Sequence, residues 1–67
     1  MRMNLKVLRV KHNFTQDEMA AKIGCTRGSY QAIEKGYRQG GKTFWTKLQR
    51  AFAVPDEEMW SLQKNEE

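Results

Sequence analysis

The sequence predicts an all-α domain of five short helices. Three features carry that expectation: apolar residues recurring at helical intervals, capping side chains where helices should start, and glycine, asparagine or proline where they should stop. In the first segment, Met3–Lys11, the residues Met3, Leu5 and Leu8, with Val7 beside them, stand among polar neighbours at such intervals. Asn13 suits the left-handed residue that follows a helix, a backbone its short polar side chain tolerates.

Thr15-Gln16-Asp17-Glu18 is a capping box, in which the Thr15 hydroxyl accepts from the Glu18 N–H and the Glu18 carboxylate reaches back to the Thr15 N–H. Phe14, just before it, is placed to staple onto Met19. The helix so opened, 16–23, turns Met19, Ala20 and Ile23 to one face and halts at Gly24. Thr26 caps a third helix over 27–35, with Tyr30 and Ile33 inward and Gly36 ending it. Segment 36–42, with three glycines, Tyr37, Arg38 and Lys42, predicts a flexible positive loop. A fourth helix, 43–53, has Phe44, Trp45, Leu48 and Phe52 on one face and is broken by Val54-Pro55. Pro55, Asp56, Glu57 and Glu58 suit the first turn of a fifth helix, where acids favour the dipole, and Met59, Trp60 and Leu62 supply its contact surface. Residues 64–67 are expected to fray.

Sixty-seven residues, 39% hydrophobic and 30% charged, describe one domain near the lower size limit for independent folding. No run approaches the roughly 18 to 20 apolar residues of a membrane span, and residues 1–10 alternate charge with hydrophobe, so neither span nor signal peptide is expected and the chain reads as cytoplasmic. The single cysteine, Cys25, forms no intrachain disulfide and with the single histidine, His12, makes no metal site. No acid or amide is placed to orient a catalytic Cys25–His12 pair, so Cys25 reads as a small buried hydrophobe. No other set of acid, base, nucleophile or ligand emerges: the sequence predicts neither an enzyme nor a cofactor. Charge is uneven, with residues 1–50 at +8 and 51–67 at −4. A basic body of this kind attracts a polyanion, whether nucleic acid or an anionic membrane surface.

Small Ala20 at the crossing of two short helices, Gly24 at a tight turn, and Tyr30 and Ile33 inward on the second helix meet the requirements of a helix-turn-helix over 16–35. The stretch QDEMAAKIGCTRGSYQAIEKG resembles the helix-turn-helix of the Cro/repressor family of transcription regulators, the xenobiotic-response-element type, phage or mobile-element-like. LKVLR at 5–9 is similar to the family's first helix, TQDEMAAKIG to its second, TRGSYQAIEKG to its recognition helix, and VPDEEMW to the start of its fifth. The resemblance covers roughly 3–62 and implies a compact five-helix lambda-repressor-like DNA-binding domain spanning 1–67. Where the family commonly has proline and an apolar residue before helix four, this chain has Gly40, Gly41 and Lys42, which implies a looser, more basic loop. Trp45 and Trp60 stand where the family usually shows leucine-like residues.

The resemblance places the third helix in a major groove, where spacing puts Arg27, Gly28, Gln31 and Ala32 against base edges: Arg27 for guanine O6 and N7, Gln31 for adenine, Ala32 for a thymine methyl. Gly28 either allows close approach to the DNA or is merely tolerated. By resemblance Gln16, Lys35, Tyr37, Arg38, Lys42 and Thr43 contact phosphates, and Tyr30 can turn its hydroxyl to the rim to join them. About five phosphates neutralised per protomer imply a log–log salt slope of roughly −0.9 per contact. Arg9 and Glu34 occupy the positions of a structural ion pair in the family.

The implied function is sequence-specific binding of a double-stranded DNA operator by a transcriptional regulator, repressor or Cro-like, acting as a homodimer. With no ligand or cleavage domain expected, regulation comes from concentration, a partner protein or competition for the site. Two alternatives share the fold: a protein-interaction module, antirepressor or adaptor, using Trp45, Met59 and Trp60, and a DNA-binding antitoxin.

Overall fold

A computed structural model describes residues 1–65 as five helices: α1 (Met3–Lys11), α2 (Gln16–Ile23), α3 (Arg27–Lys35), α4 (Lys42–Phe52) and α5 (Asp56–Gln63). Local chemistry sets most of the boundaries. Asn13, just past α1, has φ 60°. Both halves of the capping box form, Glu18 N–H to Thr15 Oγ1 at 3.1 Å and Thr15 N–H to Glu18 Oε1 at 2.8 Å. Gly24, at φ 96°, adopts the left-handed turn that leaves only three residues between α2 and α3. Thr26 Oγ1 then accepts the Ser29 N–H at 3.2 Å.

The later boundaries differ from expectation by a residue or so. α4 starts at Lys42, with Gly41 as an N-cap that offers no side chain. It ends at Phe52 because Ala53 turns left-handed at φ 50°, while Gln49 Nε2 donates to the Val54 carbonyl at 3.0 Å and to Asp56 Oδ1. Pro55 is the N-cap of α5, one residue outside the helix rather than in its first turn.

The core consists of Leu5, Met19, Ala20, Ile23, Tyr30, Ile33, Phe44, Trp45, Leu48, Met59 and Leu62, with Leu8, Phe14, Cys25, Phe52 and Val54 packed at its edge. Cys25 is thus half-buried. α1 turns Leu5 and Leu8 inward, whereas Met3 and Val7 are exposed. At about 100° per residue each lies some 200° from Leu5, on the opposite face. Trp60 is likewise 68% exposed, because Met59 and Leu62, three residues apart, take the inward face of α5. The Phe14 ring lies against His12 and Phe52, with centroids 6.0 and 6.1 Å away. α1 and α5 pack side by side, tied by Asn4 Nδ2 to Ser61 Oγ at 2.7 Å.

Segment 36–41 is pinned rather than loose. The Ala32 carbonyl accepts the Tyr37 and Arg38 N–H groups at 2.8 and 3.3 Å, and the Trp45 indole N–H reaches the Gln39 carbonyl at 3.0 Å. Gly40, at φ 74°, sits where an added Cβ would come within 2.9 Å of Trp45 Nε1 and 3.4 Å of Ile33 and Phe44. Glycine is therefore required there twice, by backbone and by space. Gly40→Ala is expected to destabilise the domain by about 1 to 3 kcal/mol in urea unfolding. Gly41→Ala, at φ −96° with open space around it, should change stability by less than about 0.5 kcal/mol.

Of the expected frayed end, residues 66 and 67 lie outside the described residues. Asn65, beyond α5, is tied down: its Oδ1 accepts from the Met1 amino group at 2.7 Å and its Nδ2 donates to the Gly36 carbonyl at 3.3 Å.

Candidate nucleic-acid interface

α3 has two faces of different chemistry. Tyr30, Ile33 and Glu34 are buried, whereas Arg27, Gly28 and Lys35 are exposed and Gln31 and Ala32 are half-buried between them. The inward face holds a polar cluster. Arg9 Nε donates to Glu34 Oε2 at 2.9 Å and Arg9 Nη2 to Oε1 at 3.3 Å, while the Tyr30 hydroxyl donates to Oε2 at 2.6 Å and Gln16 Nε2 to Oε1 at 3.4 Å. Glu34, 1% exposed, is thus a buried carboxylate with four donor contacts. Burial pushes its pKa up, but the hydrogen bonds from Arg9 and Tyr30, the Arg9 charge and Gln16 outweigh that, and the net shift is downward. Its hydrogen bond to Glu34, the largest influence, raises the Arg9 pKa. Burial first, then the bond to Glu34, pushes the Tyr30 phenol up.

The cluster changes the reading of two residues. Tyr30 is fully buried and its hydroxyl is committed to Glu34, away from the rim where a phosphate would lie. Gln16, half-buried at the start of α2, also turns toward Glu34, although its amide has a second N–H to offer outward.

On the outward side, Arg27 is the first residue of α3; its Nε lies 3.7 Å from Asp17 Oδ1, with both side chains mostly exposed. Such a pair holds the guanidinium only weakly. A Cβ added at Gly28 would meet nothing within 4 Å, so the protein itself leaves room for a side chain there. Folding does not require this glycine. Gly28→Gln should leave thermal stability unchanged within about 0.5 kcal/mol. If the bare backbone is needed against DNA, the same change lowers affinity for the preferred duplex; equal binding would show tolerance.

Arg38 reaches back from the loop to donate to Ser29 Oγ at 3.3 Å, and Tyr37 is 80% exposed beside it. Lys42 and Thr43 are exposed at the start of α4, whose N-terminal N–H groups receive no side-chain cap. An uncapped helix start next to cations suits an anion. Between α3 and α4 lies an open cleft of about 390 Å³, lined by Cys25, Ser29, Arg38, Gly41, Thr43 and Lys47 among others. Sequence reasoning missed Lys47 and Ser29. Lys47 Nζ sits 3.8 Å from where a Cβ on Gly24 would lie, beside the tight turn, and its spacing of four from Thr43 was the signal that places both on one helix face. Burial raises the Cys25 thiol pKa against the opposing influence of Lys47.

The candidate interface comprises Arg27, Gly28, Gln31, Ala32 and Lys35 on α3, Tyr37 and Arg38 on the loop after it, and Lys42, Thr43 and Lys47 on α4. Arg9 and Glu34 lie beneath it. Among the described residues no group of three or more His, Cys, Asp or Glu could hold a metal ion, and no helix is long and apolar enough to cross a membrane.

A two-helix unit with this turn, carried on three supporting helices and fringed with cations, is the architecture of proteins that enter the DNA major groove with one helix. The chain belongs to the helix-turn-helix family, whose model matches residues 5–59. It is similar to an uncharacterized HTH-type transcriptional regulator of Methanocaldococcus jannaschii, 33% identical over 66 residues, which cover 98% of this chain and 100% of that one. Two uncharacterized HTH-type transcriptional regulators of Archaeoglobus fulgidus are 32% and 31% identical over 68 residues, covering 90% of this chain and 96% and 97% of theirs. No solved structure matches the chain.

Proposed function

We propose that this DNA-binding transcriptional regulator acts as a homodimer on a two-fold operator, each α3 entering a major groove. The single observation that carries the reading is the outward face of α3, where Arg27 and the bare Gly28 backbone stand open at the helix start, with Lys35, Arg38 and Lys42 exposed further along the chain. Arg27 pairs with guanine, Gln31 reads adenine and Ala32 touches a thymine methyl. Lys35, Tyr37, Arg38, Lys42 and Thr43, with the second amide proton of Gln16, meet phosphates. Lys47 joins them. The chain works as one domain over 1–67 in the cytoplasm, without a cofactor, by occupying its site and excluding or recruiting polymerase.

In the dimer the two α3 helices stand about 34 to 36 Å apart, one turn of DNA. Trp60 supplies exposed apolar surface for contact with a second copy or a partner protein. The protein-interaction alternative loses most of its anchors, since Trp45 and Met59 are buried at 8% exposure each. Selection of bound duplexes from a random pool tests the reading: an inverted repeat is expected, and no enrichment would refute it. Sedimentation with the selected duplex gives the stoichiometry.

A further inference from the structure

Arg2, just before α1, is one of two buried polar or charged residues among the described residues, 5% exposed. Its guanidinium has four hydrogen bonds, all to backbone carbonyls: Nε to Gln63 at 3.0 Å, Nη1 to Ile33 and to Arg38 at 2.7 Å each, and Nη2 to Gln39 at 3.5 Å. Its own N–H donates to the Glu34 carbonyl at 2.8 Å, and its charge lies 5.7 Å over the Trp45 ring. Burying a cation among carbonyls alone needs an electrostatic reason. Ile33 lies in the last turn of α3 and Gln63 is the last residue of α5, so the charge sits where the negative ends of two helix dipoles converge.

We propose that Arg2 is a positioning residue for DNA binding, holding loop 36–41 at the end of the recognition helix so that Arg38 and Lys42 are presented to phosphates. This rests on the reading of that surface as the DNA interface. The bonds to the Arg38 and Gln39 carbonyls fix the backbone from which the Arg38 side chain reaches Ser29 and on which α4 begins three residues after Gln39. The planar fork is needed because its donors diverge toward four carbonyls on three segments, which a lysine ammonium cannot serve together.

The test compares wild type with Arg2→Lys, which keeps the charge. In the wild-type protein the Arg2 Nε–H should give a slowly exchanging NMR signal, as expected of a donor clamped on Gln63. In Arg2→Lys the Tyr37 and Arg38 amides should exchange faster while those of α2 stay unchanged. The selected duplex sequence should stay the same, affinity should fall roughly tenfold, and the log–log salt slope should shrink by about 1 to 2 contacts. Loss of protection with an unchanged salt slope and affinity would overturn the positioning role, and a rapidly exchanging Nε–H in wild type would overturn the clamp even if the variant does not fold. Failure of the wild type to bind any duplex would instead overturn the DNA reading and the role built on it, while exchange still decides the clamp.

Discussion

Glu34→Ala is expected to destabilise the domain by about 3 to 5 kcal/mol, because it strands the Arg9 charge and removes the acceptor of the Tyr30 hydroxyl. A chain of 67 residues has a total stability of only about 3 to 10 kcal/mol, so much of the variant should be unfolded in water. Urea unfolding followed by circular dichroism checks this, and an unchanged midpoint would refute it. Glu34→Gln, which keeps the shape and one acceptor but loses the charge, should fall between the two. The sign with pH follows from the lowered carboxyl pKa in the folded state. The stabilisation is complete above the unfolded-state pKa near 4.5 and is lost as pH falls through the depressed folded value. Acid should therefore remove more stability from wild type than from Glu34→Gln.

Arg27→Ala is expected to weaken binding to the selected duplex by about 10- to 100-fold, the worth of one bidentate contact to guanine. Thermal stability should not change, since the side chain is exposed and its neighbour Asp17 holds it only loosely. Fresh selection with the variant should lose the guanine preference at one position of each half-site and retain the others. A uniform loss across all sequences would assign Arg27 to a phosphate instead. The readouts of the two changes are thereby separated: Glu34→Ala is expected to act on the fold and Arg27→Ala on base discrimination.

The helix-turn-helix was legible because its signals are local. The capping box at Thr15, the left-handed Gly24, the Thr26 cap and Gly36 each act within four residues of themselves, and all form as read. α1 was harder, since it carries apolar residues on opposite faces and spacing does not say which one turns inward. Leu5 is the residue that turns fully inward, while Arg9 bonds Glu34 at the core edge. The two tryptophans show the same limit: a large ring at helical spacing is a candidate for the core, yet Trp45 is buried and Trp60 is not.

Of the candidate interface, the exposed cations and the helix that displays them were readable from charge and motif. The burial of Arg2 was not, because its partners are carbonyls, and a carbonyl belongs to every residue alike. The loop misled for a related reason. Three glycines suggested slack, whereas Gly40 has the backbone and clearance of a seated residue. Glycine count measures what a chain is permitted to do, and the neighbouring indole determines what it does.

The meeting of Arg2 and Asn65 at the end of α3 bears on the order in which the molecule assembles. α2 and α3 are adjacent in sequence and can dock early, since closing a short loop sacrifices little entropy. The bonds from Arg2 to Gln63 and from Asn65 to Gly36 span 61 and 29 residues. A chain emerging from the ribosome amino end first can form its helix-turn-helix while α5 is still being made. The support beneath its basic loop must wait for Gln63 and Asn65 to arrive.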